Sequence, residues 1–267
     1  GYAYFKQNDY KNAVNNFNKI IDQKNNVSQN AYYNLGECYI YLKKKSEALH
    51  AFKSASEMNF DLKVKEDASL NYAKLSYELG NPYKSVAEVL QGFLKSYPKS
   101  SSYEEITGLL VTSYLYQQDY QGALDYLKKN KSSQNQNLSY EISYYRAIQL
   151  FNLNKPQEAL PYFQSGKKSI TTSIKATSLY WSAETKYRLG NFQESLDEFI
   201  TFKKIASKEI KEYKFIDYNI GYSYFKLKEY STAAILFEKF INTNNEDMKM
   251  NDDATIRMGD SFFATKE

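Results

Sequence analysis

The sequence predicts an all-α solenoid of about seven antiparallel helix pairs, and three observations carry that prediction. The stretches that begin at Gly1 and Gly221 share glycine, tyrosine, phenylalanine, lysine and alanine positions in register, although they lie 220 residues apart. Between them a small residue recurs every 35 to 38 residues. A second small residue follows each one, with a large apolar residue four positions later. Repeats with a period of about 20–50 residues indicate a stacked array rather than one globular core.

The first helix of each pair is marked by the recurring small residue. Small residues at a helix crossing let two helix backbones approach closely. The positions that carry this signal are Gly1, Gly36, Ala73, Val111, Ala147, Ala183, Gly221 and Gly259.

The second helix is marked by a small residue and a large apolar one at i and i+4, which lie on one helix face. The large residue is expected to fill the space toward the next pair. The small members are Ala13, Ala48, Val86, Ala123, Ala159, Ser195 and Ala233. The large members are Phe17, Phe52, Leu90, Leu127, Phe163, Phe199 and Phe237.

Turn-forming residues separate the two helices of a pair, as at Gly80, Asn154 and Gly190. Each unit is therefore expected to hold two helices of about 12–16 residues joined by a short turn. The chain is expected to be a single solenoid cut from a longer array, because neither end has the polar pattern of a capping unit. The predicted units are 1–28 (partial), 29–65, 66–103, 104–139, 140–175, 176–213, 214–251 and 252–267 (partial).

The second unit resembles the tetratricopeptide repeat, because Tyr32, Leu35, Gly36 and Tyr39 and then Ala48, Phe52 and Ala55 follow its consensus. Pro98 supplies the proline that closes such a unit in the third repeat. The resemblance implies a right-handed superhelix whose first helices line a concave, peptide-binding side. Val111, Val86 and Leu90 depart from the usual residue types, and the spacing exceeds the family's length of about 34 residues.

Composition argues against several classes of partner. The net charge is +4, with both signs interspersed. The basic runs 43–45 and 128–131 lie at predicted turns or unit ends, where a solvated surface explains them better than a phosphate-binding patch. No segment approaches 18 consecutive apolar residues, so no membrane span is expected. Neither a nucleic acid nor a small-molecule substrate is an expected partner.

Residues for catalysis are scarce. Cys38 and His50 are the single cysteine and histidine, so a zinc cluster or a nucleophile–histidine arrangement of the usual kind has no basis. Glycine-rich phosphate loops are absent from the sequence. We therefore expect a protein that is not an enzyme and that uses no cofactor or metal.

The family resemblance places a set of tyrosines and charged residues on the peptide-binding side. Tyr144, Tyr180 and Tyr218 occupy equivalent positions in three successive units, which predicts a ladder of aromatic side chains suited to peptide recognition. The alternative is that these rings pack helix against helix. The full predicted set is Tyr33, Glu37, Tyr41, Tyr144, Tyr180, Glu184, Tyr187, Arg188, Tyr218 and Tyr222.

Binding of a chaperone's carboxylate tail, a known use of this family, is disfavoured. Asn34 fits one position of the clamp, but the neighbouring unit carries Asp67 and Asn71 where lysine and arginine are required. Asp67 would repel a carboxylate.

The sequence therefore predicts an interaction scaffold that docks protein or peptide partners. The run 180–192 resembles long repeat arrays of Gram-negative envelope proteins, which suggests a periplasmic, outer-membrane-associated assembly role in a bacterium. A cytoplasmic location is the alternative. The second functional hypothesis is a regulatory or targeting arm of an enzyme whose catalytic domain lies outside this chain. Flanking sequence would separate the two, through a signal peptide or a catalytic motif.

Overall fold

A computed structural model describes residues 1–130, 133–243 and 248–266. All regular structure in these ranges is helical, as the repeat pattern predicts. Lys131, the last residue of the second basic run, lies outside them. The chain divides into two compact units that each hold several repeats. From here on, the first unit is Gly1–Asp119 and the second unit is Tyr120–Glu267.

The first unit is a series of helices in which each packs on the next. The most extensive packing in this unit is between the two helices of the second pair, and between the second helix of that pair and the helix that follows it. A short 3-10 helix, Ile21–Gln23, precedes that pair. The α-helices are α1 (Tyr2–Lys6), α2 (Tyr10–Phe17), α3 (Asn26–Tyr41), α4 (Lys45–Ser56), α5 (Leu62–Leu79), α6 (Val86–Ser96) and α7 (Tyr103–Tyr116).

The second unit repeats this arrangement, with a 3-10 helix at Lys211–Phe215. Consecutive helices again pack on one another, most extensively in the pairs α9 with α10, α11 with α12 and α14 with α15. Its α-helices are α8 (Tyr120–Lys129), α9 (Ser133–Asn152), α10 (Pro156–Gly166), α11 (Thr172–Arg188), α12 (Phe192–Ile205), α13 (Ile216–Lys226), α14 (Tyr230–Thr243) and α15 (Met248–Thr265).

The large residue of the second helix contacts the small residue of the first helix in its own pair, and Phe52 also shares a core cluster with Ala68 and Leu75 of the next pair, toward which it was predicted to pack. A Cβ atom added to Gly36 on α3 would lie 2.6 Å from the buried ring of Phe52 on α4. One added to Gly221 on α13 would lie 3.1 Å from the ring of Phe237 on α14. Gly259 on α15 has open space around its Cβ direction. The glycine of the repeat therefore marks the place where an aromatic ring of the second helix contacts the first helix.

The third repeat departs from the predicted register. Val86 is only half-buried, and full burial begins at Val89 and Leu90. The reason is local: Ser85 caps the helix through a reciprocal pair of hydrogen bonds with Glu88, so Val86 falls in the first turn. The helix starts after a longer loop than in the other pairs, which shifts its buried face.

Outside the third repeat, the turns within helix pairs share one backbone geometry. A residue in the left-handed region ends the first helix, at Lys43, Asn154 and Gly190 for example. The next amide then donates to the carbonyl five residues back, as from Lys155 N to Leu150 O at 2.9 Å and from Asn191 N to Lys186 O at 2.9 Å. This is the Schellman type of helix ending, which satisfies carbonyls that the helix leaves unpaired. The turn residues predicted at Asn154 and Gly190 are confirmed.

A core cluster packs the helices α11, α12 and α13 against one another. It combines aliphatic and aromatic side chains from all three helices, with Trp181 and Tyr213 packed at its edge. Its buried members are Ala176, Leu179, Tyr180, Ala183, Leu196, Phe199, Phe202, Ile216 and Ile220.

Candidate peptide-binding face

Three helices of the second unit, α11, α13 and α15, present tyrosines and charged residues that contact one another. They are the first helices of successive pairs, which is where the sequence places the binding side. We call this surface the tyrosine face. It consists of Glu184, Tyr187 and Arg188 on α11, Tyr218, Asn219 and Tyr222 on α13, and Asp253 and Arg257 on α15.

Glu184 connects α11 to α13. Its Oε1 accepts from Arg188 Nε at 3.1 Å, one helical turn away. Its Oε2 accepts a long hydrogen bond of 3.4 Å from Asn219 Nδ2. The Arg188 guanidinium also lies 4.0 Å from the centre of the Phe151 ring. Arg188 is therefore fixed by a carboxylate and an aromatic ring together.

The Tyr222 ring is edge-on to the rings of Tyr187 and Tyr218. The Tyr187 and Tyr222 ring centres are 6.3 Å apart at 85°, and those of Tyr218 and Tyr222 are 4.9 Å apart at 64°. With Phe199 below, they line a cavity of about 190 Å³ that Glu184 and Asn219 also border. We call these four rings the aromatic box.

Asp253 ties α15 to α13. It accepts hydrogen bonds from the hydroxyls of Tyr218, at 2.8 Å, and of Tyr222. Arg257 lies one turn further along α15, with its Nε 3.9 Å from Asp253 Oδ1. Burial first and then the Asp253 hydrogen bond raise the pKa of both tyrosines, so they stay protonated and keep donating to the carboxylate.

Sequence reasoning missed Asn219, Asp253 and Arg257. A usable signal was present, since Asp253 and Arg257 repeat the acidic-to-arginine spacing of Glu184 and Arg188 at i and i+4.

Two members of the expected tyrosine ladder lie elsewhere. Tyr180 is only 6% exposed and packs edge-on against Phe199 and Phe202 in the core. Tyr144 is half-buried against the core cluster of α9 and α10, where burial raises its pKa to about 12. For Tyr180 the structure shows helix-to-helix packing, which leaves no ring surface for a peptide.

The predicted residues of the first unit are divided between two places. Tyr33 packs against Phe52, and its pKa is raised to about 12 by burial and by Glu37. Burial and the nearby Asp67 raise the pKa of Glu37. Tyr41, 57% exposed, instead stacks on Tyr10 with ring centres 4.4 Å apart. The structure therefore brings Tyr33 and Glu37 together but not Tyr41.

The same surface of the first unit is unsuited to a carboxylate tail. Asn34 donates its amide to the Asn30 carbonyl at 2.7 Å, and Asn71 donates to the Asp67 carbonyl at 3.0 Å. Both asparagine side chains are occupied within their own helix, and Asp67 adds negative charge beside Glu37.

The single cysteine of the chain is buried. Cys38 has no exposed surface, and burial raises the pKa of its thiol to about 11, so it stays protonated. In the described ranges no cluster of three or more histidine, cysteine, aspartate or glutamate side chains is arranged to hold a metal. None of the helices described is long and apolar enough to cross a membrane.

Comparison with protein families identifies the repeats. Models of the tetratricopeptide repeat match residues 1–26, 29–62 and 217–244. The chain therefore contains tetratricopeptide repeats. Among curated protein sequences, none matches it significantly.

Solved structures show the same fold. The C-terminal part of a tetratricopeptide repeat-containing protein from Cytophaga hutchinsonii is similar over 93% of this chain and 96% of its own, with a TM-score of 0.50 at 16% identity. A Naa15/Naa10 complex bound to HypK-THB is similar over 98% of this chain and 37% of its own, with a TM-score of 0.59 at 15% identity. Tetratricopeptide repeats are in general non-catalytic scaffolds for protein–protein interaction.

Proposed function

We propose that this tetratricopeptide repeat protein is a non-catalytic scaffold that binds a segment of a partner protein on the tyrosine face. One observation carries the proposal: the rings of Tyr187, Tyr218 and Tyr222 enclose an open cavity of about 190 Å³ with the Glu184 carboxylate at its border. The other residues that the sequence predicts for peptide binding, Tyr144 in the second unit and Tyr33, Glu37 and Tyr41 in the first unit, are proposed as separate contacts. Tyr180 supports the tyrosine face from the core.

The chemistry of the face suits a peptide. Tyrosine provides a rigid apolar surface and loses little conformational entropy on binding. These rings are already held in place, because Asp253 accepts from two of the hydroxyls. A partner would therefore meet a preorganised surface, which reduces the entropic cost of association.

The sequence resemblance of run 180–192 to envelope arrays suggests where to seek the partner. We propose an assembly factor of a bacterial cell envelope as the setting, and therefore a protein of that compartment as the partner.

A capture experiment tests the scaffold proposal. The double variant Tyr187→Ala, Tyr222→Ala removes two walls of the cavity while leaving the buried rings Tyr180 and Phe199 in place. Each substitution is expected to weaken partner binding by about 1–2 kcal/mol. The measurement is affinity capture from the native cell with quantitative mass spectrometry, using wild-type protein and the variant.

The matched control is Tyr116→Ala, because Tyr116 is 81% exposed and lies outside the tyrosine face. Circular dichroism should show that all three proteins are folded. Partners lost by the double variant but kept by the control support the proposal. Equal recovery of every partner by the folded double variant would place binding elsewhere on the molecule.

A further inference from the structure

The aromatic box has the geometry of a site for a cation. Three tyrosine rings and the buried residue Phe199 line it, and the Tyr222 ring is edge-on to those of Tyr187 and Tyr218. Aromatic faces carry negative electrostatic potential, so a cation surrounded by several of them is attracted to each. One carboxylate, that of Glu184, lies at the border of the cavity.

We propose that the aromatic box binds a lysine side chain of the partner segment. This inference rests on the proposed function and adds the chemistry that the tyrosine face recognises. The methylene chain of lysine would lie along the rings, and its ammonium group would meet the ring faces and the Glu184 carboxylate.

The charged groups around the box are paired with one another. Asp253 accepts from the Tyr218 and Tyr222 hydroxyls. Arg188 is paired with Glu184 at 3.1 Å, and Arg257 is paired with Asp260 at 2.5 Å. An ammonium group in the box would therefore meet the aromatic rings and the Glu184 carboxylate that borders them.

The protein uses the same interaction elsewhere on its own surface. The Arg188 guanidinium lies 4.0 Å from the Phe151 ring centre, beside the box. In the first unit, Lys53 Nζ lies 4.7 Å from the Tyr83 ring centre. The box differs from these contacts in offering several rings at once to a cation that is still to be supplied.

Short peptides test the proposal directly. The probe is acetyl-Gly-Lys-Gly-amide, compared with peptides that carry norleucine or glutamate in place of lysine. Titrations followed by 1H–15N NMR should show the lysine peptide shifting amide signals of residues 184–188 and 218–222. The norleucine peptide, which has the same chain without the charge, should bind about threefold to tenfold more weakly. The glutamate peptide should bind no better than norleucine.

Two variants locate the site. Glu184→Gln keeps the shape of the side chain but removes its charge, and Tyr222→Leu removes one wall. Each should reduce the affinity for the lysine peptide to that for the norleucine peptide, whereas Tyr116→Leu should leave it unchanged. If Tyr222→Leu fails to fold, Glu184→Gln decides the question by itself.

The outcomes separate this inference from the proposed function. Equal binding of the lysine and norleucine peptides, preferential binding of the glutamate peptide, absent binding of the lysine peptide, or an unchanged affinity in Glu184→Gln overturns the lysine site. If native partners are nevertheless lost from the Tyr187→Ala, Tyr222→Ala variant, the scaffold proposal stands and only the cation chemistry is wrong. If partner capture is also unaffected, both proposals fail.

Discussion

Single side chains set how closely the helices of a pair pack. At Gly36 the ring of Phe52 fills the space that any side chain would need. Two other helical glycines, Gly92 and Gly108, have open space at the same atom. Glycine therefore has opposite effects at these positions, since it permits a close contact at Gly36 and only weakens a helix at Gly108.

Alanine substitutions should show this difference. Gly36→Ala should destabilise the protein, because the new Cβ would lie 2.6 Å from a fully buried ring that cannot move without disturbing the core. We expect a loss of about 1–3 kcal/mol in the free energy of unfolding. The control Gly108→Ala should instead stabilise helix α7 by roughly 0.5–1 kcal/mol. Urea denaturation measures both, and a neutral Gly36→Ala would mean that the contact is looser than described.

For single residues, the sequence predicts which side chains are buried better than it predicts which side chains face solvent or a ligand. Gly36 and Phe52 occupy positions that recur from unit to unit, which predicts that both are interior. Tyrosine is ambiguous, since its ring can fill a core or face a ligand. Tyr180 and Tyr218 are equivalent in register, and both contact two phenylalanines of the following helix. Only the three-dimensional structure shows that Tyr180 is buried while Tyr218 remains at the cavity.

At the scale of whole helices, a buried ion cluster joins α11 and α12 to the end of α10. Glu198 Oε1 on α12 lies 2.5 Å from Lys167 Nζ and 3.1 Å from Lys186 Nζ. Its side chain is 14% exposed, and that of Lys186 is 9% exposed. Burial lowers the pKa of Lys167, although its hydrogen bond to Glu198 partly opposes that effect. The cluster thus holds two cations that need their carboxylate.

Removing that carboxylate should be costly. Glu198→Ala removes the carboxylate that Lys167 and Lys186 share, while both lysines stay largely buried. We expect the free energy of unfolding to fall by about 3–5 kcal/mol. The matched control is Glu194→Ala, because Glu194 also pairs with Lys186 but is 63% exposed and should cost much less. Thermal unfolding followed by circular dichroism compares the two. Similar losses would show that the cluster contributes no more than a surface ion pair.

Sequence analysis could not identify this cluster. Lys167 and Glu198 are separated by 31 residues, and neither belongs to the repeated small or aromatic positions. The helices themselves were predictable, because their pattern recurs in every unit. Contacts made by polar residues that occur in one unit only depend on packing that no period reveals. Asp253 on the tyrosine face carried one signal, the i, i+4 spacing to Arg257, but that spacing lies outside the register of the repeat.

At the scale of the whole molecule, the repeated pattern builds a series of local cores between consecutive helices. Separate clusters form around Phe17, Phe52, Phe163, Phe199 and Phe237. In such an array the stability is approximately a sum of local terms and terms between neighbours. This explains how a chain with a mean hydropathy of −0.66 can fold. The sequence predicts these local cores because the periodicity indicates which residues are interior. The boundaries of the repeat units and the handedness of the superhelix stay predictions.

If stability is a sum of local terms, a substitution in one core cluster should destabilise only the neighbouring helices. Phe163 has no exposed surface and belongs to the cluster of α9 and α10, against which Trp181 of α11 also packs. Phe163→Ala should cost about 3–5 kcal/mol through lost burial and the cavity left behind. Because the neighbouring pairs share this contact, hydrogen exchange should accelerate across residues 140–200. Amides in residues 26–80 should keep their protection, since their core clusters include no atom of Phe163.

The control for this experiment is Phe263→Ala, because Phe263 is 88% exposed on α15 and its removal should leave exchange unchanged throughout. Mass spectrometry of peptic fragments resolves the two regions in one measurement. A uniform increase in exchange after Phe163→Ala would show that the chain unfolds as one cooperative body. In that event the repeats determine where side chains lie, but the energy that holds them is shared over the whole chain rather than between neighbours.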